Sequence, residues 1–233
     1  MAHVHLSLCC WAMGEADTAV RHAEAGVALA RTVDHPNSLA MALSMAAAVH
    51  QGRDEIAPCV ALASEARRVA EEQQFPLWAA MSTVHLGWAT ARSGRSTEGI
   101  AQMRDGIARW EATGAREAIP AMLALVGEAL LGDGRIVEGA AAVEEALARA
   151  QATGERFYEP ELHRLLAAAR RMQGASDDEI ERILHTGLEL ARTCGAQTLE
   201  LRIAHDLQRL HAGQGPAVAI HEPETRAVAK EAG

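Results

Sequence analysis

The stretch Leu86-Gly87-Trp88-Ala89-Thr90-Ala91-Arg92-Ser93-Gly94-Arg95-Ser96-Thr97-Glu98-Gly99-Ile100-Ala101-Gln102-Met103-Arg104-Asp105-Gly106 decides how this chain is read. Two amphipathic runs flank a short polar break around Gly94, while Gly87, Gly99 and Gly106 fall inside the runs. Working outward, the break glycine recurs as Gly14, Gly52, Gly94, Gly134 and Gly174, at separations of 38, 42, 40 and 40 residues. A fixed period of this size with two helices per unit is the sequence mark of a stacked helical repeat.

Aligning the units on that glycine exposes further columns. Seven residues before it stand Ser7, Met45, Gly87, Gly127 and Ala167. Five after it come Ala19, Ala57, Gly99, Gly139 and Glu179, and twelve after it Gly26, Ser64, Gly106, Ala146 and Thr186. Most of these are Gly, Ala or Ser. Glycine inside a helix costs about 0.5–1 kcal/mol relative to alanine, so its repeated use there points to backbones pressed together. The apolar column Ala23, Ala61, Met103, Val143 and Ile183 lies nine after the glycine, on the same packed side.

The pattern predicts first helices near 2–13, 37–51, 77–92, 117–132 and 158–173, second helices near 16–32, 54–74, 96–112, 136–152 and 177–193, and a closing helix near 197–211. Stop signals separate the units at Asp34-His35-Pro36, Phe75-Pro76, Thr113-Gly114, Thr153-Gly154 and Cys194-Gly195. Pro120 and Pro160 fall early in their helices, where proline is tolerated. The fold class is therefore all-α, a right-handed solenoid of about five helix-turn-helix units of ~40 residues plus a closing helix over 1–212, with a disordered tail at 213–233.

These columns resemble the tetratricopeptide repeat, with Leu86-Gly87, Gly94, Gly99 and Gly106 the best-matching unit. The chain departs from that motif in its longer period, in the missing tyrosine of the first helix and in the missing proline after the second. A HEAT-type repeat, which has the longer period, is the structural alternative. A second resemblance lies between Ala141 and Leu207. The run Ala152-Thr153-Gly154-Glu155-Arg156-Phe157-Tyr158-Glu159-Pro160-Glu161-Leu162-His163-Arg164-Leu165, followed by Leu190 to Arg202, is similar to the C-terminal repeat region of large bacterial signalling ATPases. Many of those are fused to class III adenylate or guanylate cyclases or to helix-turn-helix domains. The resemblance implies a cytoplasmic sensor or protein-binding arm, with ATPase or cyclase domains in the same or a neighbouring chain. It does not carry over their activities, because their motifs are absent here.

Composition narrows the chemistry. The 233 residues carry a formal charge of −9 and no dense basic stretch, so direct nucleic-acid binding lacks its electrostatic drive. All but one of the 22 basic residues are Arg; the exception is Lys230. There is no P-loop, no lysine inside the fold for a Schiff base and no G-x-S-x-G elbow. Eleven histidines lack metal-ligand spacing, and Cys9, Cys10, Cys59 and Cys194 are scattered on predicted helices. The reading is a reduced cytoplasmic protein, not an enzyme, with no cofactor, no metal and no membrane span.

The chain opens on Val4, Leu6, Leu8 and Trp11 without an N-cap residue, so further units are expected upstream to cover Val4, Leu8 and Trp11. In such arrays the first helix of each unit lines the concave face. That register assigns partner contacts to Trp88, Arg92, Glu128, Glu161, Arg164, Arg171, Arg202, His205 and Arg209. The last three share one helix face, and arginine forks suit carboxylates, which points to an acidic protein or peptide partner. The alternative is that these arginines pair with Glu161, Glu200 and other local acids. A clamp for a chaperone's C-terminal carboxylate needs paired asparagines, and only Asn37 is present. A small-molecule inducer sensed on the concave face is the second functional reading.

Overall fold

The computed structural model describes residues 2–214, so the expected disordered tail lies outside the described residues beyond Gln214. Eleven helices follow one another: α1 (Ala2–Ala12), α2 (Ala16–Val33), α3 (Pro36–Gly52), α4 (Ile56–Glu72), α5 (Pro76–Arg92), α6 (Ser96–Ala112), α7 (Ile119–Gly132), α8 (Ile136–Thr153), α9 (Glu159–Met172), α10 (Asp177–Cys194) and α11 (Gln197–His211). No strand occurs among the described residues. Four helices, α3, α5, α7 and α9, start with proline in the first turn, where the missing N–H is no loss. Ser176 accepts a hydrogen bond from the Glu179 N–H to cap α10. None of the helices is long and apolar enough to cross a membrane.

The turns corrected the sequence register. Left-handed backbone marks the turns at Gly14, Asp34, Asp54, Gln74, Gly94, Gly114, Gly134, Gly154 and Gly174, every 20 residues, and then at Gly195 after 21; Ala118, just before α7, and Gly213, after α11, share that conformation outside the series. In the second unit the turn residue is thus Asp54, not Gly52, which ends α3. The second-unit columns move by two, replacing Met45, Ala57, Ser64 and Ala61 with Ala47, Cys59, Ala66 and Ala63, all four fully buried. In the fifth unit the extra residue moves the columns after the turn by one. Half-buried Glu179 and exposed Thr186 give way to buried Ile180 and Gly187, and Leu184 replaces Ile183.

Close approach at these columns is measurable. A Cβ on Gly99 would sit 2.4 Å from the Gly87 carbonyl oxygen and 2.4 Å from the Ala91 nitrogen. On Gly87 it would lie 2.7 Å from the Met103 nitrogen. Helices α5 and α6 therefore touch backbone to backbone, a separation that only glycine at the crossing permits.

The odd-numbered helices pack on one another in sequence, α1 on α3, α3 on α5, α5 on α7, α7 on α9 and α9 on α11, whereas the even-numbered helices touch only odd ones. Odd helices thus form an inner layer and even helices an outer one. The inner layer closes: α11 returns to α1. The Thr198 hydroxyl donates to the Trp11 carbonyl oxygen, and the Gln197 side chain lies against Gly14. One apolar cluster joins Val4, Trp11 and Leu43 to Ala191, Ala196 and Leu199, across both ends of the array. A larger one runs from Ala47 to Leu165.

The expectation that Val4 and Trp11 await cover from other units is overturned: Val4 packs at Gly26 of α2, and Trp11 lies against Gly52 and Arg202. Val4 and Trp11 are only 4% and 6% exposed, covered by the chain itself, and Leu8 is half-buried. The exposed large apolar residues of α1 are Leu6 and, just past its end, Met13 instead.

Candidate functional site

Closing the inner layer turns its concave face inward, and charged side chains from several of its helices meet in the interior. The turn residue Asp54 accepts a two-pronged bond from Arg92 at the end of α5, with Nε to Oδ1 at 2.9 Å and Nη2 to Oδ2 at 2.5 Å. On α9, Arg164 donates through Nε and Nη2 to Oε1 of Glu161, at 3.0 and 2.7 Å, and through Nη1 to Oδ2 of Asp206 on α11, at 3.2 Å. Glu161, Arg164 and Asp206 are each 2% exposed or less. A charge buried this deeply is tolerable only when paired and hydrogen-bonded.

Arg202 on α11 is the junction of the ring. Its Nη2 donates to the Gly52 carbonyl oxygen at 2.7 Å, its guanidinium lies 5.5 Å from the centre of the Trp11 ring, and its Nη1 stands 3.8 Å from Oε2 of Glu161. One side chain thereby ties α1, α3 and α9 to α11. Gly52 lets α3 approach α1 beside this junction, because a Cβ there would lie 2.7 Å from the Trp11 indole.

The electrostatics follow from burial and these pairs. Burial alone would raise Glu161, but the charges of Arg164 and Arg202 together with the Arg164 hydrogen bonds outweigh it, and the carboxyl sits below its ordinary value. For Glu128 on α7, half-buried, burial wins and the carboxyl is raised, although Arg164, Arg92 and Arg202 pull it down. The Tyr158 phenol, just before α9, is raised by burial and next by the charge of Glu161. His85 on α5 is 7% exposed and forms no hydrogen bond among the described residues, and burial lowers it to about 4.

Of the nine residues singled out in the sequence, the structure gathers Arg92, Glu128, Glu161, Arg164 and Arg202 into this network. Trp88 is 3% exposed and packs in the largest apolar cluster, and Arg171 pairs with Asp177 at the α9–α10 turn. His205 and Arg209 are half-buried on α11 and engaged with neighbours. Local pairing of arginines with acids does occur, as the alternative reading had it, but for Arg164 it is in the interior. Sequence reasoning missed Asp54, Tyr158, Asp206 and Trp11. Asp54 had a signal, since it stands 40 residues from both Gly14 and Gly94. Asp206 could have been found one turn beyond Arg202 on the same helix face.

Cys10 and Cys59 are buried packing groups: burial pushes the Cys59 thiol up to about 12 and raises Cys10, whereas Cys9 and Cys194 are exposed. Among the described residues no group of three or more His, Cys, Asp and Glu side chains is placed to hold a metal.

No protein-family model matches this chain, and no curated protein matches it in sequence. Solved structures match it in shape. A kinesin light chain-type protein of Podosopora anserina with nearly identical TPR-like repeats aligns, in a single-substitution form, over 82% of this chain and 94% of its own, with a TM-score of 0.52 and 18% identity. Another crystal structure of those repeats gives 0.50 and 19%, over 84% of this chain and 95% of its own. Aspartyl phosphate phosphatase F from Bacillus subtilis aligns over 94% of this chain with a TM-score of 0.55 and 12% identity, and this chain spans 62% of its length. At these identities the likeness is one of fold: the chain is a tetratricopeptide-like helical array.

Proposed function

We propose that this chain is a non-catalytic, protein-binding helical array, the sensor or effector arm of a bacterial signalling ATPase or adenylate cyclase-linked regulator in the cytoplasm. The observation that carries this reading is the charged network of the closed inner layer, to which α5, α7, α9, α11 and the turn after α3 all contribute. A partner that disturbs this network acts on several units at once, and its binding bears on the closure between α1 and α11. The likeness of the stretch from Ala152 to Arg202 to the repeat regions of signalling ATPases supports the choice of partner.

The test is co-expression of the full chain with an ATPase or cyclase domain encoded beside it, followed by native mass spectrometry. A defined-stoichiometry complex that weakens when Arg209 is changed to Glu is expected. A chain that stays alone beside such domains would contradict the reading. A second reading, a small-molecule inducer sensor, is favoured by the half-buried Glu128 and Tyr158, and a small retained adduct in the same spectra would select it.

A further inference from the structure

Away from the charged network, two metal-ligating side chains meet across a pair of helices. The Nδ1 atoms of His3 on α1 and His22 on α2 lie 2.9 Å apart, with the ring centres at 5.1 Å and the planes inclined by 43°. The two residues stand 19 apart in the sequence, which is why no ligand spacing announces them. Neither is buried, so both rings keep an approach from solvent. Gly26 brings them together: a Cβ there would lie 3.2 Å from a methyl of Val4 and 3.4 Å from Cβ of His3, and would push the start of α1 off α2.

As neutral rings the two share one hydrogen bond, one donating Nδ1–H and the other accepting through Nδ1. No carboxylate pairs with either ring among the described residues. His185 and His211 differ in this respect, because both turn Nε2 to one oxygen of Glu181, at 3.6 and 3.1 Å, and the carboxylate already serves them.

Two imidazole nitrogens that face each other at such a distance also form a chelating edge. With nitrogen–metal bonds of about 2.0–2.1 Å, the 2.9 Å separation subtends an angle of about 90° at the ion, the cis angle of square-planar and octahedral coordination. A tetrahedral ion spreads its nitrogens to about 3.3 Å. We propose that His3 and His22 form a two-nitrogen site for a divalent late transition metal, Cu2+ or Ni2+ in preference to Zn2+. The donating ring carries its proton on Nε2 instead, rotation about the bond from Cβ to each ring aims both Nδ1 lone pairs at the ion, and water fills the remaining positions. With only two protein ligands the ion exchanges readily. It fastens α1 to α2 at the end of α1 away from Trp11, independently of any protein partner.

The test is calorimetric titration of the full chain with nickel, copper and zinc chlorides at neutral pH, with melting followed by circular dichroism. Ni2+ is expected to fill one tightest site per chain and to raise the melting temperature, because it binds the folded arrangement alone. His3→Gln and His22→Gln are each expected to weaken this binding by about tenfold or more and to remove the rise, since each takes away one of two ligands. Both variants are expected to melt close to the parent without metal, which separates a lost ligand from a lost fold. His211→Gln, in the histidine set served by Glu181, is expected to leave Ni2+ binding unchanged. Ni2+ binding that survives His22→Gln would belong to His3 and the amino terminus alone and overturns the proposal. So does the absence of a saturable site for Ni2+ and Cu2+, or tighter binding of Zn2+ than of Ni2+.

Discussion

His85 sits neutral in a buried place where no described residue hydrogen-bonds its ring, and this makes it a source of acid sensitivity. The unfolded chain protonates this imidazole near pH 6.5, whereas the folded chain holds it unprotonated down to about 4. Between those values the unfolded state binds more protons, so the contribution is intact above about 6.5 and is lost as pH falls towards 4, by roughly 3 kcal/mol in all. His163 is lowered in the same direction. Urea unfolding of the parent and of His85→Leu at pH 7 and pH 4.5 isolates the residue: the variant is expected to lose less stability over that interval, and equal losses would contradict the burial argument. Nothing in the sequence distinguished His85 from ten other histidines, because its isolation depends on packing. Glu128, Glu161, Arg164 and Arg202 were legible from helix register alone, yet their pairings were not. Arg164 meets Asp206 across 42 residues and Arg202 meets Gly52 across 150.

Between the helices of a unit, contact is set by small-residue columns, and these were largely readable. Glycine recurs in the Gly94, Gly134 and Gly174 turns and in the Gly87, Gly99, Gly106, Gly127 and Gly139 crossings because both a left-handed turn and a close crossing favour it. Where one reason was satisfied without glycine the reading slipped: Asp54 takes the second turn with φ 58°, and Gly52 belongs to the contact with Trp11. Asp54 carries a left-handed backbone, which Asp tolerates better than most residues, and also supplies the carboxylate for Arg92. Replacing Gly99 by Leu drives a side chain into the Gly87 and Ala91 backbones, and replacing Gly139 by Leu drives it into Leu131, whose Cγ would lie 2.7 Å from the new Cβ. Each is expected to cost about 1–3 kcal/mol or more through overpacking. Glu144→Ala removes only an exposed pair with Arg170, worth about 0–1 kcal/mol. Thermal unfolding of the three variants checks this, and equal melting temperatures would contradict the crossing geometry.

At the scale of the whole molecule the array is a solenoid whose inner layer comes round to meet itself. Repeat number and helix limits were legible to within a few residues, since both follow from local pattern. Closure was not, because it depends on a small rotation per unit accumulated over five units, which no single column records. It changes what the ends do. A linear array loses only nearest-neighbour terms when its last helix is removed, but here α11 also covers Trp11, satisfies the Gly52 carbonyl and brings the Arg202 charge to 3.8 Å from Glu161. Deleting residues from 197 onward is therefore expected to lower the melting temperature, raise aggregation and increase exposure of Trp11 to a quencher, although Trp11 lies at the opposite end of the chain. An unchanged Trp11 environment in the truncated chain would contradict the ring.

Closure itself is tested most directly by proton–proton Overhauser contacts of the Trp11 indole in solution. The contact with Gly52 is expected in any stacked array and serves as the internal reference. A closed ring adds cross-peaks from the same indole to the side chain of Arg202, with Thr198 bonded to the Trp11 carbonyl. Their appearance alongside the Gly52 contact is the expected result; a Gly52 contact without any to Arg202 would show an open array whose ends never meet.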